Sequence, residues 1–165
     1  MQTIFFAAGC FWGAQKFFDQ FEGVVSTETG YANGLTENPS YEDVRYRGAG
    51  HAETVKVVFD ETKLSLKALL DGYFLVIDPL SVNKQGEDED TQYRTGIYYE
   101  DDSLLPVIGE KVRAVEKTLG QPLAVEVLPL RNFYTAEEYH QKYLDKHPEG
   151  YCHIPKALLH MKKKA

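Results

Sequence analysis

Residues 3–31 read TIFFAAGCFWGAQKFFDQFEGVVSTETGY and change their hydrophobic period twice. The apolar run at 3–8 ends at a glycine, which is typical of a short buried strand. From Gly13 onward, apolar side chains recur every three or four residues, which predicts an amphipathic helix that ends at Gly23. Residues 24–31 predict a second strand. This part of the chain is therefore a strand–helix–strand unit with a cysteine at its first turn.

The same periods continue along the rest of the chain. They predict strands at 53–59, 95–99 and 125–130 and helices at 65–76 and 104–119. One helical turn is predicted after Pro39. A capping box formed by Thr135 and Glu138 predicts a last helix that reaches about residue 146. Split strand–helix–strand units with mixed pairing predict an α+β fold, specifically a ferredoxin-like two-layer α/β sandwich with a mixed sheet. Beyond about residue 147, we expect a long irregular C-terminal tail that wraps around the fold rather than packing into it.

The composition is that of an ordinary globular protein. The 165 residues carry a net charge of −7, with 43% hydrophobic and 26% charged residues, which excludes disordered and low-complexity classes. We expect a single domain over residues 1–165. No apolar run approaches the ~20 residues of a membrane span, and the first residues lack a secretory signal, so the expected location is cytoplasmic.

The charge and the cysteines limit the possible partners. An acidic chain is a poor ligand for nucleic acid, which needs a basic face, and the basic run at 162–164 is expected to be a solvated chain end. Cys10 and Cys152 are the only cysteines, and the five histidines show no paired ligand spacing, so we expect no metal site. The two cysteines are either buried thiols or a catalytic or redox pair.

The motif GCFWG, residues 9–13, places Cys10 where the first strand becomes the first helix. Free N–H groups and the helix dipole favour a thiolate there, so we expect the pKa of Cys10 to lie below its ordinary value. Phe11 and Trp12 are suited to form an apolar wall that grips a small group such as a methyl. The alternative is a cysteine buried in an aromatic core.

The segment GHAETVKVVF, residues 50–59, places a carboxylate among apolar side chains. Period-two alternation puts Glu53 on the same face as Val55 and Val57. Desolvation is expected to raise the pKa of Glu53, and a carboxylic acid that stays protonated near neutral pH can donate a proton during a reaction. The alternative is a buried glutamate paired with an arginine, the candidates being Arg45, Arg47 and Arg94. His51 either orients the carboxyl group or caps the strand.

Five motifs together resemble the A-type peptide methionine sulfoxide reductases. They are GCFWG at 9–13, NPSY at 38–41, GHAE at 50–53, TQYR at 91–94 and GYC at 150–152. The resemblance runs from Phe6 to about His153. It implies a thiol oxidoreductase that reduces methionine S-sulfoxide, free or in proteins, to methionine and so repairs proteins after oxidative stress.

The resemblance also implies roles for individual residues. Cys10 attacks the sulfoxide sulfur, Glu53 protonates the departing oxygen, and Cys152 condenses with the resulting sulfenic acid to form a disulfide. The implied substrate-binding residues are Phe11, Trp12, Tyr41, Asp88 and Tyr93, with Gly13 and His51 in support. Phe11 and Trp12 hold the methyl group, Tyr41 and Tyr93 hydrogen-bond the oxygen, and Asp88 orders the site.

The implied cycle needs no bound cofactor. An external reductant, thioredoxin or dithiothreitol, would reduce the Cys10–Cys152 disulfide in a protein that we expect to be a monomer. The chain lacks the second C-terminal cysteine that some relatives use, so a two-cysteine cycle is the simplest scheme. It also departs from the family pattern at residues 46–49, Glu87 and Asp90; these changes affect the surface that meets protein substrates rather than the chemistry.

Two other hypotheses remain open from the sequence. A Cys–His acyl transferase or peptidase would use Cys10, His51 and Glu53, with His51 as the base that reaches the thiol. It predicts that Cys152→Ser is harmless. A non-catalytic binding module with aromatic-rich loops is the third hypothesis, and it predicts no consumption of methionine sulfoxide.

Overall fold

The structure is a computed structural model that describes residues 1–86 and 88–161. Glu87 and the basic run at 162–164 lie outside the described residues, so the expectations for them stay predictions. Within the described part of the chain, no helix combines the length and hydrophobicity that a bilayer crossing requires.

Strands and helices alternate along most of the chain. In chain order they are β1 Gln2–Ala8, α1 Phe11–Asp19, β2 Val24–Ala32, α2 Tyr41–Tyr46, β3 Ala52–Phe59, α3 Leu66–Val76, β4 Lys84–Gln85, β5 Asp88–Glu89, β6 Thr95–Tyr99, α4 Leu105–Leu119, β7 Glu126–Pro129, β8 Phe133–Thr135, α5 Tyr143–Lys146 and α6 Lys156–Leu159. Strands β1, β2, β3 and β6 and helices α3 and α4 begin and end within one residue of the predicted positions, and β7 is one residue shorter than predicted at each end. Helix α1 begins two residues before Gly13 and ends at Asp19, short of the predicted end at Gly23. The sequence pattern does not predict the short strands β4 and β5.

The described strands form one six-stranded sheet in the order β7-β6-β1-β3-β2-β8 and a small β4-β5 hairpin. Strand β1 runs antiparallel to both β3 and β6, and β2 runs antiparallel to β3 and β8. Strand β7 adds in parallel at the edge next to β6. The sheet is therefore mixed, and the predicted α+β class is confirmed.

The main hydrophobic core lies between the sheet and helices α1 and α3. Phe6 of β1 stacks on Phe18 of α1 and on Tyr73 of α3, with both ring centroids 4.8 Å away. Val55 and Val57 of β3 lie in the same core, whereas Ala52 belongs to a smaller cluster on the opposite face of the sheet. The alternation predicted for β3 is thus confirmed, and it turns Glu53 toward the helical layer.

The predicted capping box at Thr135 and Glu138 is wrong. Thr135 ends strand β8, where it pairs with Gly30, and the N–H of the following Ala136 donates to the carbonyl of Thr29 at 2.9 Å. Because these groups bond to β2, they cannot start a helix. The chain makes a short 3₁₀ turn at Glu138–His140 instead, and helix α5 begins only after Lys142, whose φ is 55°.

The C-terminal segment packs more closely than we expected. Ile154 and Leu159 are buried at 2% and 6% exposure and join the main core. The Gln20 side chain of the α1 C-cap donates to the carbonyl of Leu158 at 2.6 Å. The expectation of a tail that wraps without packing is wrong, because these apolar side chains pack into the core next to α1. The segment also contains the short helix α6.

Candidate active site

The turn between β1 and α1 carries Cys10. Cys10 is the N-cap of α1, and Gly9 before it has φ +81°, a conformation that favours glycine. A β-carbon at Gly9 would also come 2.8 Å from Cβ of Gln85, so the chain turns here only with glycine. The turn brings the thiol to the first turn of the helix, as the sequence predicts, and leaves it 7% exposed.

Glu53 points from β3 to the same helix end. Its Oε1 accepts the backbone N–H of Phe11 at 3.2 Å, and its Oε2 accepts the side-chain amide of Gln92 at 2.6 Å. Burial raises the pKa of this carboxyl to about 8, although both hydrogen bonds act in the opposite direction. The carboxyl is therefore mostly protonated at neutral pH, which confirms the expected direction.

The arginine-paired alternative for Glu53 is not what the structure holds. Arg47 pairs with Asp43, and Arg94 pairs with Glu126 at 2.9 Å. Arg45 pairs with Asp90 and acts on Glu53 only as a weak, distant charge. Hydrogen bonds to neutral donors therefore hold Glu53 in place, so its proton remains available for chemistry.

The thiol of Cys10 differs from the expectation. Burial raises its pKa well above the ordinary value, the charge of Glu53 adds to the rise, and the backbone N–H of Trp12 at the helix end opposes it. The prediction of a lowered pKa is therefore wrong for the substrate-free site, because desolvation outweighs the helix end. Once Glu53 is protonated, its contribution disappears and the thiolate becomes easier to form.

Around these two groups lies a cavity of about 160 Å³, smaller than the sites that hold drug-sized ligands. Its lining residues are Cys10, Phe11, Trp12, Tyr41, Glu53, Asp88, Tyr93, His140 and Tyr151. Every predicted substrate-binding residue is therefore in one lining. The cavity suits a group no larger than a small side chain.

Aromatic rings form one wall of the cavity. Trp12 stacks on Tyr143 with centroids 3.7 Å apart and an 8° angle between the planes. Its Nε1–H donates to Nδ1 of His140 at 3.0 Å, so that ring nitrogen carries no proton. Burial lowers the pKa of His140, which keeps the ring neutral. The indole is therefore fixed from both its face and its edge.

Two phenols, Tyr41 and Tyr93, also line the cavity. Tyr41 and Tyr93 share a hydrogen bond, and burial raises the pKa of each. Both hydroxyls are therefore neutral donors near neutral pH. Tyr41 opens helix α2, and its backbone N–H donates to Glu137 at 2.9 Å, which ties the helix to the segment that carries His140.

Cys152 lies beside the first turn of α1, and its thiol is not bonded to Cys10. A β-carbon on Gly13 would come 2.5 Å from the Cys152 sulfur. The backbone N–H of Ile154 donates to the same sulfur at 3.3 Å, and burial raises its pKa. Asp88 contributes to the raised pKa of both cysteines and of Glu53.

His51 lies outside the described lining of the cavity. Its ring is fully buried against Gly34, where a β-carbon would come 2.0 Å from Nδ1, and it meets the Tyr134 ring edge-on at 5.9 Å. Burial lowers its pKa. The ring packs against the loop after β2 rather than lining the cavity with the thiol, so His51 is not placed to act as the base that the acyl-transfer hypothesis assigns to it.

The sequence reasoning missed the roles of Gln92, His140 and Tyr151. Gln92 and Tyr151 belong to two of the motifs on which the family resemblance rests, TQYR and GYC, so the sequence could have indicated both residues. His140 had none, because its partner Trp12 is 128 residues away. Among the described residues, no cluster of three or more histidine, cysteine, aspartate or glutamate side chains is arranged to hold a metal ion.

Comparisons with known proteins find relatives over nearly the whole chain. The family model described as peptide methionine sulfoxide reductase matches residues 2–165. Peptide methionine sulfoxide reductase MsrA of Clostridium acetobutylicum is 54% identical over 159 residues, which cover 96% of this chain and 98% of that protein. The crystal structure of Mxr1 from Saccharomyces cerevisiae in reduced form has a TM-score of 0.86 and 35% identity, covering 92% of this chain and 88% of that one. Mxr1 in complex with Trx2 matches with a TM-score of 0.58 and 22% identity, covering 86% and 84%.

Proposed function

The chain belongs to the peptide methionine sulfoxide reductase family, and we propose that it reduces methionine S-sulfoxide to methionine with Cys10 as the attacking thiol. One observation carries this assignment: Cys10 and a carboxyl group with a pKa of about 8, Glu53, line the same small cavity. A nucleophile and a proton donor on opposite sides of a substrate are what sulfoxide reduction needs.

The binding step uses the two walls of the cavity. The substrate methyl group packs against Phe11 and Trp12, and the sulfoxide oxygen accepts hydrogen bonds from Glu53, Tyr41 and Tyr93. The remainder of the bound methionine sulfoxide extends out of the cavity through its mouth. The methyl group, the oxygen and the remainder of the substrate each have one position, so the configuration at sulfur is fixed. This supports selection of one epimer, and the family resemblance implies that it is the S epimer.

The first chemical step transfers oxygen from methionine to Cys10. The Cys10 sulfur attacks the substrate sulfur while Glu53 gives its proton to the oxygen, and the thiol proton of Cys10 restores Glu53. This attack forms a bond between the two sulfurs. The hydroxyl group then passes from the substrate sulfur to the Cys10 sulfur, the sulfur–oxygen bond of the substrate and the new sulfur–sulfur bond both break, and an electron pair returns to the substrate sulfur. Thiol plus sulfoxide thus become sulfenic acid plus methionine, with all protons accounted for.

The second step uses Cys152. Its thiol attacks the sulfenic acid, water leaves, and a Cys10–Cys152 disulfide remains. A disulfide needs the two α-carbons within ~7 Å, and we expect the segment around Cys152 to shift from its place beside Gly13 as the bond forms. A thioredoxin then reduces the disulfide at the expense of its own dithiol, and the complex of the yeast relative with Trx2 supports this choice of reductant.

The broader setting is part of the same proposal. The family match over residues 2–165 supports one catalytic domain whose tail, from about residue 147, carries the resolving cysteine. The order β6-β1-β3-β2 of the central antiparallel strands supports a ferredoxin-like sandwich. We place the protein in the cytoplasm as a monomer without a bound cofactor, where it repairs oxidised methionine.

An assay on separated epimers tests the function. The purified chain is given the S or the R sulfoxide of N-acetylmethionine with dithiothreitol or with a thioredoxin system, and formation of N-acetylmethionine is followed. We expect turnover of the S epimer only, with either reductant. Turnover of neither epimer, or equal turnover of both, would overturn the proposal.

A further inference from the structure

Arg45 lies next to a residue that lines the cavity. Arg45 lies on α2, four residues after Tyr41, and its guanidinium carbon is 5.8 Å from the ring centroid of Tyr93 and 5.8 Å from that of Tyr46. Tyr93 also lines the cavity. Helix α2 therefore supplies Tyr41 to the cavity and, one turn later, a positive charge next to the ring of Tyr93.

Arg45 is only loosely held by its ion-pair partner. Nη1 is 3.4 Å from Oδ2 of Asp90, longer than the about 2.7–2.9 Å of a strong charge-assisted hydrogen bond. The Arg45 side chain remains 32% exposed. A guanidinium has five N–H donors in a planar fork that matches a carboxylate, so Arg45 retains the capacity to bind a second anion.

The charges around the cavity make this arginine distinctive. The described lining includes the acids Asp88 and Glu53, the latter mostly protonated at neutral pH, and it includes no lysine or arginine. The whole chain carries a net charge of −7. A negatively charged substrate approaching such a surface is disfavoured unless a nearby cation compensates its charge.

We propose that Arg45 forms a carboxylate-binding subsite at the mouth of the cavity. It selects methionine sulfoxides that carry a carboxylate close to the sulfoxide side chain, and the inference rests on the function proposed above. The carboxylate has two possible sources: the α-carboxylate of a free or C-terminal methionine sulfoxide, or the side chain of an adjacent acidic residue in a protein.

Two matched substrate pairs separate these sources. The first pair is the S-sulfoxide of N-acetylmethionine and of its neutral N-methylamide. The second pair is the S-sulfoxide of acetyl-Met-Asp-amide and of acetyl-Met-Asn-amide. Within each pair, the ratio of the two kcat/KM values isolates the effect of the carboxylate, because the sulfoxide chemistry is the same.

The variants test whether Arg45 causes the preference. Wild type is expected to favour the carboxylate in at least one pair by about threefold to fivefold, the effect of a partly solvated ion pair. Arg45→Gln is expected to bring that ratio to about one, and Arg45→Lys to leave an intermediate ratio. Arg47→Gln is the matched control, since Arg47 lies at the end of the same helix, pairs with Asp43 and is 62% exposed.

Asp90→Asn gives the opposite test. It removes the competing carboxylate, and an asparagine can still cap the 3₁₀ turn at Thr91–Tyr93, so the ratio should rise above that of wild type. A ratio of about one in wild type for both pairs, or an unchanged preference in Arg45→Gln, overturns the subsite. If wild type turns over none of the four substrates, the proposed function itself fails and the subsite falls with it.

Discussion

The sulfur of Cys152 occupies the place beside Gly13 that a β-carbon would need, 2.5 Å from its ideal position. Helix α1 thus exposes its backbone at Gly13, one turn after Cys10, and the Cys152 thiol packs against it. The backbone N–H of Ile154 holds the same sulfur from the other side at 3.3 Å. Cys152 therefore lies beside the first turn of α1 and outside the described lining of the cavity.

Substitution of Gly13 should act mainly on the disulfide step. Gly13→Ala displaces the Cys152 sulfur, and misplacement of a reacting group by about 1 Å slows a reaction on the order of ten- to hundredfold. We expect the larger loss in the rate of thiol disappearance after one equivalent of substrate, compared with the rate of methionine release. Stopped-flow thiol titration against quenched-flow methionine analysis measures both.

Gly109→Ala is the control for this experiment. Gly109 also lies inside a helix, α4, where an added β-carbon meets only the flexible end of Arg113. Both substitutions raise helix propensity by about 1 kcal/mol, so a difference between them reflects the contact with Cys152. Equal disulfide rates in the two variants would show that Gly13 has no such role.

The proton on Glu53 should control the first step. We expect Glu53→Ala to slow methionine formation by about 10²-fold or more, whereas Glu53→Gln should keep part of the rate because its amide can donate a hydrogen bond. In wild type, the single-turnover rate should fall as pH rises through about 8, where Glu53 loses its proton. Wild-type rates in Glu53→Ala, or the same high-pH decline in Glu53→Gln, would remove Glu53 from the mechanism.

The same carboxyl group should make stability depend on pH. Its pKa is about 8 in the fold and 4.5 in a free side chain, so between these values the folded state holds a proton that the unfolded state has lost. Stability then falls as pH rises across this window, by on the order of 1 kcal/mol per pH unit. Glu53→Gln has no carboxyl group here and lacks this slope, so the Tm of the variant minus the Tm of wild type should increase from pH 4.5 to 8. A Tm difference that stays constant across that range contradicts the raised pKa of Glu53.

His140 should matter for binding through Trp12. His140→Ala removes the acceptor of the Trp12 Nε1–H, 3.0 Å away, and a lost hydrogen bond of this kind should raise KM by about threefold to tenfold, with a smaller change in kcat. His140→Asn can retain an acceptor there and should restore part of the affinity. Thermal melts monitor folding of both variants, and an unchanged KM in a folded His140→Ala protein would exclude this role.

Local patterns predicted much of the fold and of the site. The period of residues 3–31 placed Cys10 at a helix start, and alternation in β3 turned Glu53 inward, because both depend on neighbours along the chain. The pKa of Cys10 was mispredicted because its sign depends on how deeply the tertiary fold buries the thiol. The helix predicted from Thr135 failed for a similar reason: pairing with Gly30 of a distant strand takes precedence over a local capping signal.

The most direct test of the mechanism is the mass of Cys10 after one turnover of Cys152→Ser. This variant is mixed with excess S-sulfoxide without reductant, and the methionine released and the modified peptides are measured. We predict about one methionine per enzyme, then a stall, with one added oxygen on the peptide that contains Cys10. An unmodified Cys10 after methionine release, or methionine formation by Cys10→Ser, would contradict the account.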